Sequence, residues 1–229
     1  MPSLLGNTIP NLNSPDNWVW LNGSSRISTD RWKNLLERLS KGGFNGIACN
    51  GSDQFYTEFA PLCKEYDIQL HAWRWTVNRG QYGKDHPEWY AVNRNGDSVL
   101  DKPPYVGHYR WLCPSNTEVR DLLRDDYVKL TQLPGMTGVH LDYVRYCDIF
   151  LPIGLQPKYN LVQDYEMPEF DYCYCDTCRG KFEQTHGYDP KNLDDPSKDK
   201  AWHQFRLDQV VELVDEIVTG VHDVGSLIS

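Results

Sequence analysis

Gly138-Val-His-Leu-Asp-Tyr143 decides how this chain is read. Side chains on a strand point to opposite faces in turn. Val139 and Leu141 therefore share an apolar face suited to helices, while His140 and Asp142 project together from the other. Three segments of similar character precede it: Asn17 to Asn22 (NWVWLN), Phe44 to Cys49 (FNGIAC) and Ile68 to Arg74 (IQLHAWR). Helical patterns lie between them. Ser28 or Thr29 caps a stretch in which Trp32, Leu35, Leu36 and Leu39 fall at helical spacing, stopped by Gly42 and Gly43. Asp53 opens another that carries Phe55, Phe59, Leu62 and Tyr66. Ser115 with Glu118 reads as a capping box for a third, with Val119, Leu122, Leu123, Tyr127 and Leu130 in its stripe. Lys200 to about Val221 forms the last, with Trp202, Phe205, Val210, Leu213, Val214 and Ile217.

Strand and helix in alternation imply parallel strands joined by right-handed crossovers. A doubly wound sheet and a barrel both fit that pattern. Two long excursions, about 75–114 and 144–199, leave the C-terminal ends of the third and fourth strands, where barrel active sites are built. The first contains Val92 to Val99 (VNRNGDSV), whose Asn-Gly pair signals a tight hairpin. No glycine-rich nucleotide fingerprint follows the first strand. The expected fold is α/β of the (β/α)8 TIM-barrel type, a single domain over 1–229. A full barrel needs about 250 residues, and only four strands are spent by Tyr143. The barrel is therefore expected to be incomplete, the N-terminal part of a longer protein, with pairing of two half-barrels as the alternative.

Composition narrows the function classes. Of the 229 residues 40% are hydrophobic and 24% charged, enough for one sizeable core. A net charge of −9 argues against a nucleic-acid surface, which needs clustered Lys and Arg. No run of about 18 apolar residues is present to span a membrane. The opening MPSLLGNTIPNLNS lacks the basic start and continuous apolar stretch of a signal peptide. A soluble chain is expected; its compartment stays open, with secretion or the periplasm allowed for the full protein. Eight Trp and 14 Tyr are a high load, and such rings suit stacking against sugars.

Strand alternation then sorts the candidate site. In the third strand Ile68, Leu70 and Ala72 face helices, leaving Gln69, His71 and Trp73 inside. The first strand turns Trp18, Trp20 and Asn22 inward, and the second Ala48 and Asn50. Polar groups thus collect where an ordinary barrel places Val, Ile and Leu. Asp142 is the candidate catalytic residue, because glycoside hydrolysis needs carboxyl groups flanking the scissile bond; a structural Asp paired with Arg145 is the plainer reading. Arg145 is expected to hold that carboxylate ionised or to bind substrate. Asn22, His71, Trp73, Arg74, His108, His140 and Tyr143 are the candidate substrate-binding residues. Trp75, Trp111, Tyr105 and Tyr109 lie in or beside the first excursion as further aromatic platforms, some of them as packing. The second carboxylate is not evident; Glu166, Glu169 and Asp171 sit on the second excursion, where acids are usually solvated.

Seven cysteines cannot all pair internally. Cys173, Cys175 and Cys178 form a C-x-C-x2-C run whose crowding suits metal binding better than disulfides. Structural zinc prefers four ligands, and Cys113, Cys147 and His186 are all open as the fourth. An all-thiolate site leaves no position for catalysis, so the expected cofactor is one structural Zn and no organic group. The plainer alternative is reduced thiols buried beside a short helix, Asp176 to Thr185.

Gly138-Val-His-Leu-Asp-Tyr-Val-Arg-Tyr146 resembles the fourth-strand motif of the glycosyl-hydrolase-like 10 family and related (β/α)-barrel glycosidases. The resemblance extends to His86-Pro-Glu-Trp-Tyr90, Trp111-Leu-Cys-Pro-Ser-Asn116 and Asp171-Tyr-Cys-Tyr-Cys-Asp-Thr-Cys-Arg179, and covers the chain from about residue 16. It implies a barrel glycosidase in which Asp142 matches the strand-end acid. The cysteine run is also similar to the zinc cluster of family 42 β-galactosidases. The expected function is a glycoside hydrolase acting on an oligo- or polysaccharide, with Asp142 as nucleophile or base. One alternative is a carbohydrate-binding protein without catalysis; another is a metal-dependent hydrolase using His71 and His140 as ligands. Expected partners are a carbohydrate, with neither nucleic acid nor membrane, and a second copy if the barrel is incomplete.

Overall fold

The computed structural model describes residues 17–228, so the reading of the first 16 residues lies outside the described part. It contains five strands: β1 (Trp18–Asn22), β2 (Gly46–Asn50), β3 (Gln69–Trp75), β4 (Gly138–Asp142) and β5 (Leu227–Ile228). They form one sheet in the order β1-β2-β3-β4-β5. The pairs β1–β2, β2–β3 and β4–β5 are parallel. The order never reverses, whereas reversal marks the switch point of a doubly wound sheet. Five helices accompany them: α1 (Thr29–Lys41), α2 (Asp53–Glu65), α3 (Thr117–Thr131), α4 (Asp176–His186) and α5 (Lys200–Asp223). Among the described residues no helix is long and apolar enough to cross a membrane.

The sequence predicts four strands and an end just after the last helix; the structure adds β5. Leu227 pairs with Gly138 and Ile228 with Val139. Two residues are too few for a period to show, so only pairing reveals this strand.

Two compact units divide the chain. Among the described residues the first holds 17–74, 123–142 and 216–228; the second holds 75–122 and 143–215. In the first unit Ile47, Ala48 and Cys49 of β2 are fully buried, a continuous apolar run of the kind that parallel strands covered on both faces adopt. Trp32 of α1 packs on Phe59 of α2 at 4.8 Å between ring centroids, and Phe55 stacks on Phe59 at 4.9 Å. Each such buried ring contributes about 2–3 kcal/mol. Ser52 caps α2, its side chain accepting from the Phe55 N–H. Gly138 opens β4 where a Cβ would lie 2.6 Å from the Leu227 carbonyl and 2.7 Å from His71 Nε2. Only glycine lets the imidazole sit against that strand.

The second unit is built differently. Its strand-like pairs are isolated antiparallel bridges: Asn78 with Trp111, Tyr90 with Leu112, Val92 with Ser98, and Asn93 with Tyr172. The expected Asn-Gly turn is present, with Gly96 at φ +94° and Asn93 N–H donating to the Asp97 carbonyl at 2.9 Å. The capping box at Ser115 and Glu118 is not formed. Asn116 Oδ1 accepts from the Val119 N–H at 3.2 Å, while Glu118 accepts from Trp89 Nε1 at 2.9 Å. The cap lies one position later than expected, on Asn116, because Asn serves as a cap as well as Ser.

Candidate functional site

On the sheet, the inner face predicted by alternation is assembled. Trp18 meets His71 edge to face at 4.7 Å between centroids, and Trp20 meets His140 at 5.5 Å. Trp73 Nε1 donates to Asp142 Oδ2 at 3.0 Å. Three strands thus contribute to one face, with Asp142 at the C-terminal end of β4. Asp142 is the only acid in any of the five strands. Trp20 leaves 54% of its surface open to solvent, enough for a flat apolar ligand to stack there. His71 is 1% exposed, and burial first, then the neighbouring His140, hold its pKa down at about 4. His140 is also lowered, chiefly by burial, with the Asp142 charge opposing. Neutral imidazoles here serve as hydrogen-bonding groups at physiological pH.

Asn22 is exposed at the end of β1, in register with Asn50 of β2. Arg74, expected among the substrate-binding residues, points away from Trp73 to the helices. It pairs with Asp53 of α2 at 2.6 Å and with Asp126 of α3 at 3.7 Å, and lies 5.9 Å from the Tyr56 ring centre. Successive strand side chains alternate, so a residue next to Trp73 falls on the opposite face. The metal-dependent reading needs His71 and His140 in a ligand set. Among the described residues the group of three or more His, Cys, Asp or Glu placed to share an ion is the cysteine cluster, which includes neither His71 nor His140.

In the second unit a set of rings surrounds Tyr143. Its centroid is 5.0 Å from Trp75, 5.3 Å from Trp111 and 6.2 Å from Tyr109. His108 is tilted against Trp75 at 5.9 Å. The Arg145 guanidinium lies 5.1 Å from the Trp111 ring and 5.4 Å from Tyr143, and its ion pair is with Asp148 at 2.8 Å. Tyr143 has φ 49°, a left-handed conformation costing a non-glycine residue about 1–2 kcal/mol. Nothing in the sequence signals that turn; ring packing on three sides sustains it. Of Glu166, Glu169 and Asp171 on the second excursion, Asp171 is not solvated as expected, and the two glutamates are half-buried. Asp171 is fully buried, accepting from Arg206 Nη1 at 2.6 Å and from the Tyr174 hydroxyl at 2.7 Å. The main-chain carbonyls of Glu166 and Glu169 accept from the Arg94 and Asn93 side chains.

The cysteine run finds its fourth member in Cys113. The four sulfurs of Cys113, Cys173, Cys175 and Cys178 all lie within 4.8 Å of one another. Cys113 is 3.4 Å from each of the other three, Cys173–Cys175 is 3.7 Å and Cys173–Cys178 is 3.2 Å. Zinc–sulfur bonds near 2.3 Å set tetrahedron edges of about 3.8 Å, so the cluster needs only slight expansion to hold such an ion. Cys175 precedes α4 and Cys178 sits in its first turn. Hydrogen bonds from Cys113, Cys173 and Cys178 pull the Cys175 thiol far towards its thiolate form. This cluster is able to hold a metal ion. The two other candidates for fourth ligand are elsewhere: Cys147 is buried outside the cluster, and the His186 ring stacks on Phe182 at 4.4 Å.

No family model and no curated protein matches the sequence. Solved structures do resemble the fold. A hypothetical protein from Ruminiclostridium thermocellum aligns at 11% identity with a TM-score of 0.54, over 92% of this chain and 95% of that one. A β-galactosidase from the Antarctic haloarchaeon Halorubrum lacusprofundi aligns at 12% identity and TM-score 0.61, over 93% of this chain. An α-L-fucosidase from Paenibacillus thiaminolyticus aligns at 15% identity and TM-score 0.55, over 89% of this chain. The chain spans 36% of that β-galactosidase and 30% of that fucosidase. At such identities the likeness is one of fold, shared with glycosidases.

Proposed function

We propose that this chain carries the strand-end acid of a (β/α)-barrel glycosidase acting on an oligo- or polysaccharide, as its resemblance to the glycosyl-hydrolase-like 10 family implies. One observation carries the reading: Asp142, the sole strand acid, ends β4 on a face lined by Trp20, Trp73 and His140, with its carboxylate gripped by an indole N–H. The Trp73 hydrogen bond orients the carboxylate for a role as nucleophile or base. An exposed Trp20 offers the stacking surface that a sugar ring requires. The fold shared with a β-galactosidase and a fucosidase supports the same reading. In the second unit the four cysteines would hold one structural zinc, whose closed thiolate shell supplies no chemistry to the reaction. Its role is to pin Cys113 to the α4 segment.

Hydrolysis of aryl glycosides and oligosaccharides by the purified chain, and by the longest chain its gene encodes, tests the proposal. Asp142→Asn is expected to lower turnover by about 10²–10⁴-fold while sugar binding persists. Trp73→Phe removes one hydrogen bond to a charged group, worth about 1.5–3 kcal/mol, and is expected to cost about ten- to a hundredfold. Sugar binding by calorimetry without hydrolysis by either wild-type form would instead favour the binding protein.

A further inference from the structure

Ser115 takes no part in the helix cap that its sequence position suggests, since Asn116 accepts from the Val119 N–H instead. Its hydroxyl is turned elsewhere. The Cys178 thiol donates to Ser115 Oγ at 3.1 Å, and Ser115 is fully buried. Main-chain anchors set where that hydroxyl stands. The Pro114 carbonyl accepts from Arg120 Nε at 2.6 Å, and the Ser115 carbonyl accepts from Lys181 Nζ of α4 at 2.7 Å. Ser115 also lies two positions after Cys113, so one short run brings both a sulfur and a hydroxyl to the cluster.

A divalent ion held by four thiolates carries a net charge of −2. Cys113, Cys173 and Cys178 are at most 1% exposed, so that charge would sit away from solvent. Buried charge of this kind is tolerated when hydrogen-bond donors point at it. A metal-bound thiolate has no proton left to give, so the contact between Cys178 and Ser115 survives loading only if its direction reverses. A serine hydroxyl can reverse it by rotation, because it carries a donor as well as acceptor lone pairs. Alanine offers neither.

We infer that the Ser115 hydroxyl donates a hydrogen bond to the Cys178 thiolate when the cluster holds a metal ion, making Ser115 a positioning residue for the metal centre. The inference rests on the metal reading above and names the side chain that steadies the bound charge. Partners of this kind orient the ligands and account for about 10–100-fold in metal affinity.

The test compares wild type, Ser115→Ala and Asn116→Ala, each loaded with zinc and separately with cobalt. Asn116→Ala is the control for loosening of the same segment, since it removes the α3 cap and leaves the Ser115 hydroxyl in place. Ser115→Ala is expected to weaken zinc retention against a chelator by about tenfold or more. It is also expected to move the thiolate-to-cobalt charge-transfer band to longer wavelength, because a sulfur without its donor gives up electron density more readily. Asn116→Ala is expected to leave the band where it is. The band is decisive, since lost packing alone weakens retention without moving it. An unmoved band in a folded Ser115→Ala protein overturns the inference and leaves the metal reading standing. Wild type that takes up neither metal with a thiolate signature defeats both. If Ser115→Ala does not fold, cadmium-loaded wild type decides: coupling between the cadmium nucleus and a serine hydroxyl proton supports the inference, and its absence overturns it.

Discussion

The sheet unit and the excursion unit bury different kinds of group. Around the sheet the interior is Leu36, Ile47, Ala48, Phe59, Leu70 and Ala72, with His71 as a polar exception. In the excursions the interior includes Ser115, Asn93, Asp171, Arg206 and four clustered thiols. Apolar contact is non-directional and tolerates small shifts. A buried polar group depends on one or two specific partners and is costly once they go. The sheet unit should therefore lose stability gradually under substitution, and the excursion unit abruptly. Long loops without regular pairing gain order from such partners, which here stand beside a core of Trp89, Trp111, Phe182 and Trp202.

The largest test of that contrast is the metal proposed for the cysteine cluster. Structural zinc contributes on the order of 10 kcal/mol of apparent folding energy to small thiolate sites. Stripping it with a chelator, or replacing Cys113 by Ser, is expected to open 144–199 to protease while the sheet unit keeps its helical circular dichroism. Equal resistance of both segments before and after stripping would break the comparison. Next comes Asp171→Ala, which strands the buried Arg206 charge; about 3–5 kcal/mol is expected, read from denaturant midpoints.

The sheet unit has one polar weakness of its own. His71 has a folded pKa of about 4 against an ordinary 6.5, so between those values the unfolded chain binds a proton that the folded chain refuses. Its contribution is complete above pH 6.5 and is lost as pH falls towards 4, at most about 3 kcal/mol. Denaturation across that window should show a slope that His71→Gln flattens; an unchanged slope would assign the acid sensitivity to other groups. The smallest effect is Ser52→Ala, where loss of the α2 cap should cost about 1 kcal/mol in thermal unfolding.

Much of the sheet unit was legible in the chain. β1 to β4 and the stripes of α1, α2, α3 and α5 follow from periods of 2 and 3.6, and alternation alone put Trp20, Trp73, His140 and Asp142 on one face. Arg74 was misassigned because it was chosen for its charge, whereas its parity with Trp73 places it on the helix side. The excursions resisted such reading. Their bridges are single pairs with no period, and Tyr143 turns left-handed with no glycine or Asn to announce it.

What the sequence determined by itself was the set of local elements and the side on which each strand residue falls, because backbone geometry repeats over a few residues and carries that information within itself. What tertiary structure decided was partnership: Cys113 joining sulfurs 60 or more positions away, Asp171 meeting Arg206, Trp73 reaching Asp142, and Leu227 pairing with Gly138. A thiol, carboxylate or short strand has the same local signature whichever partner it finds. Distance through space, set only when the chain has folded, makes the choice.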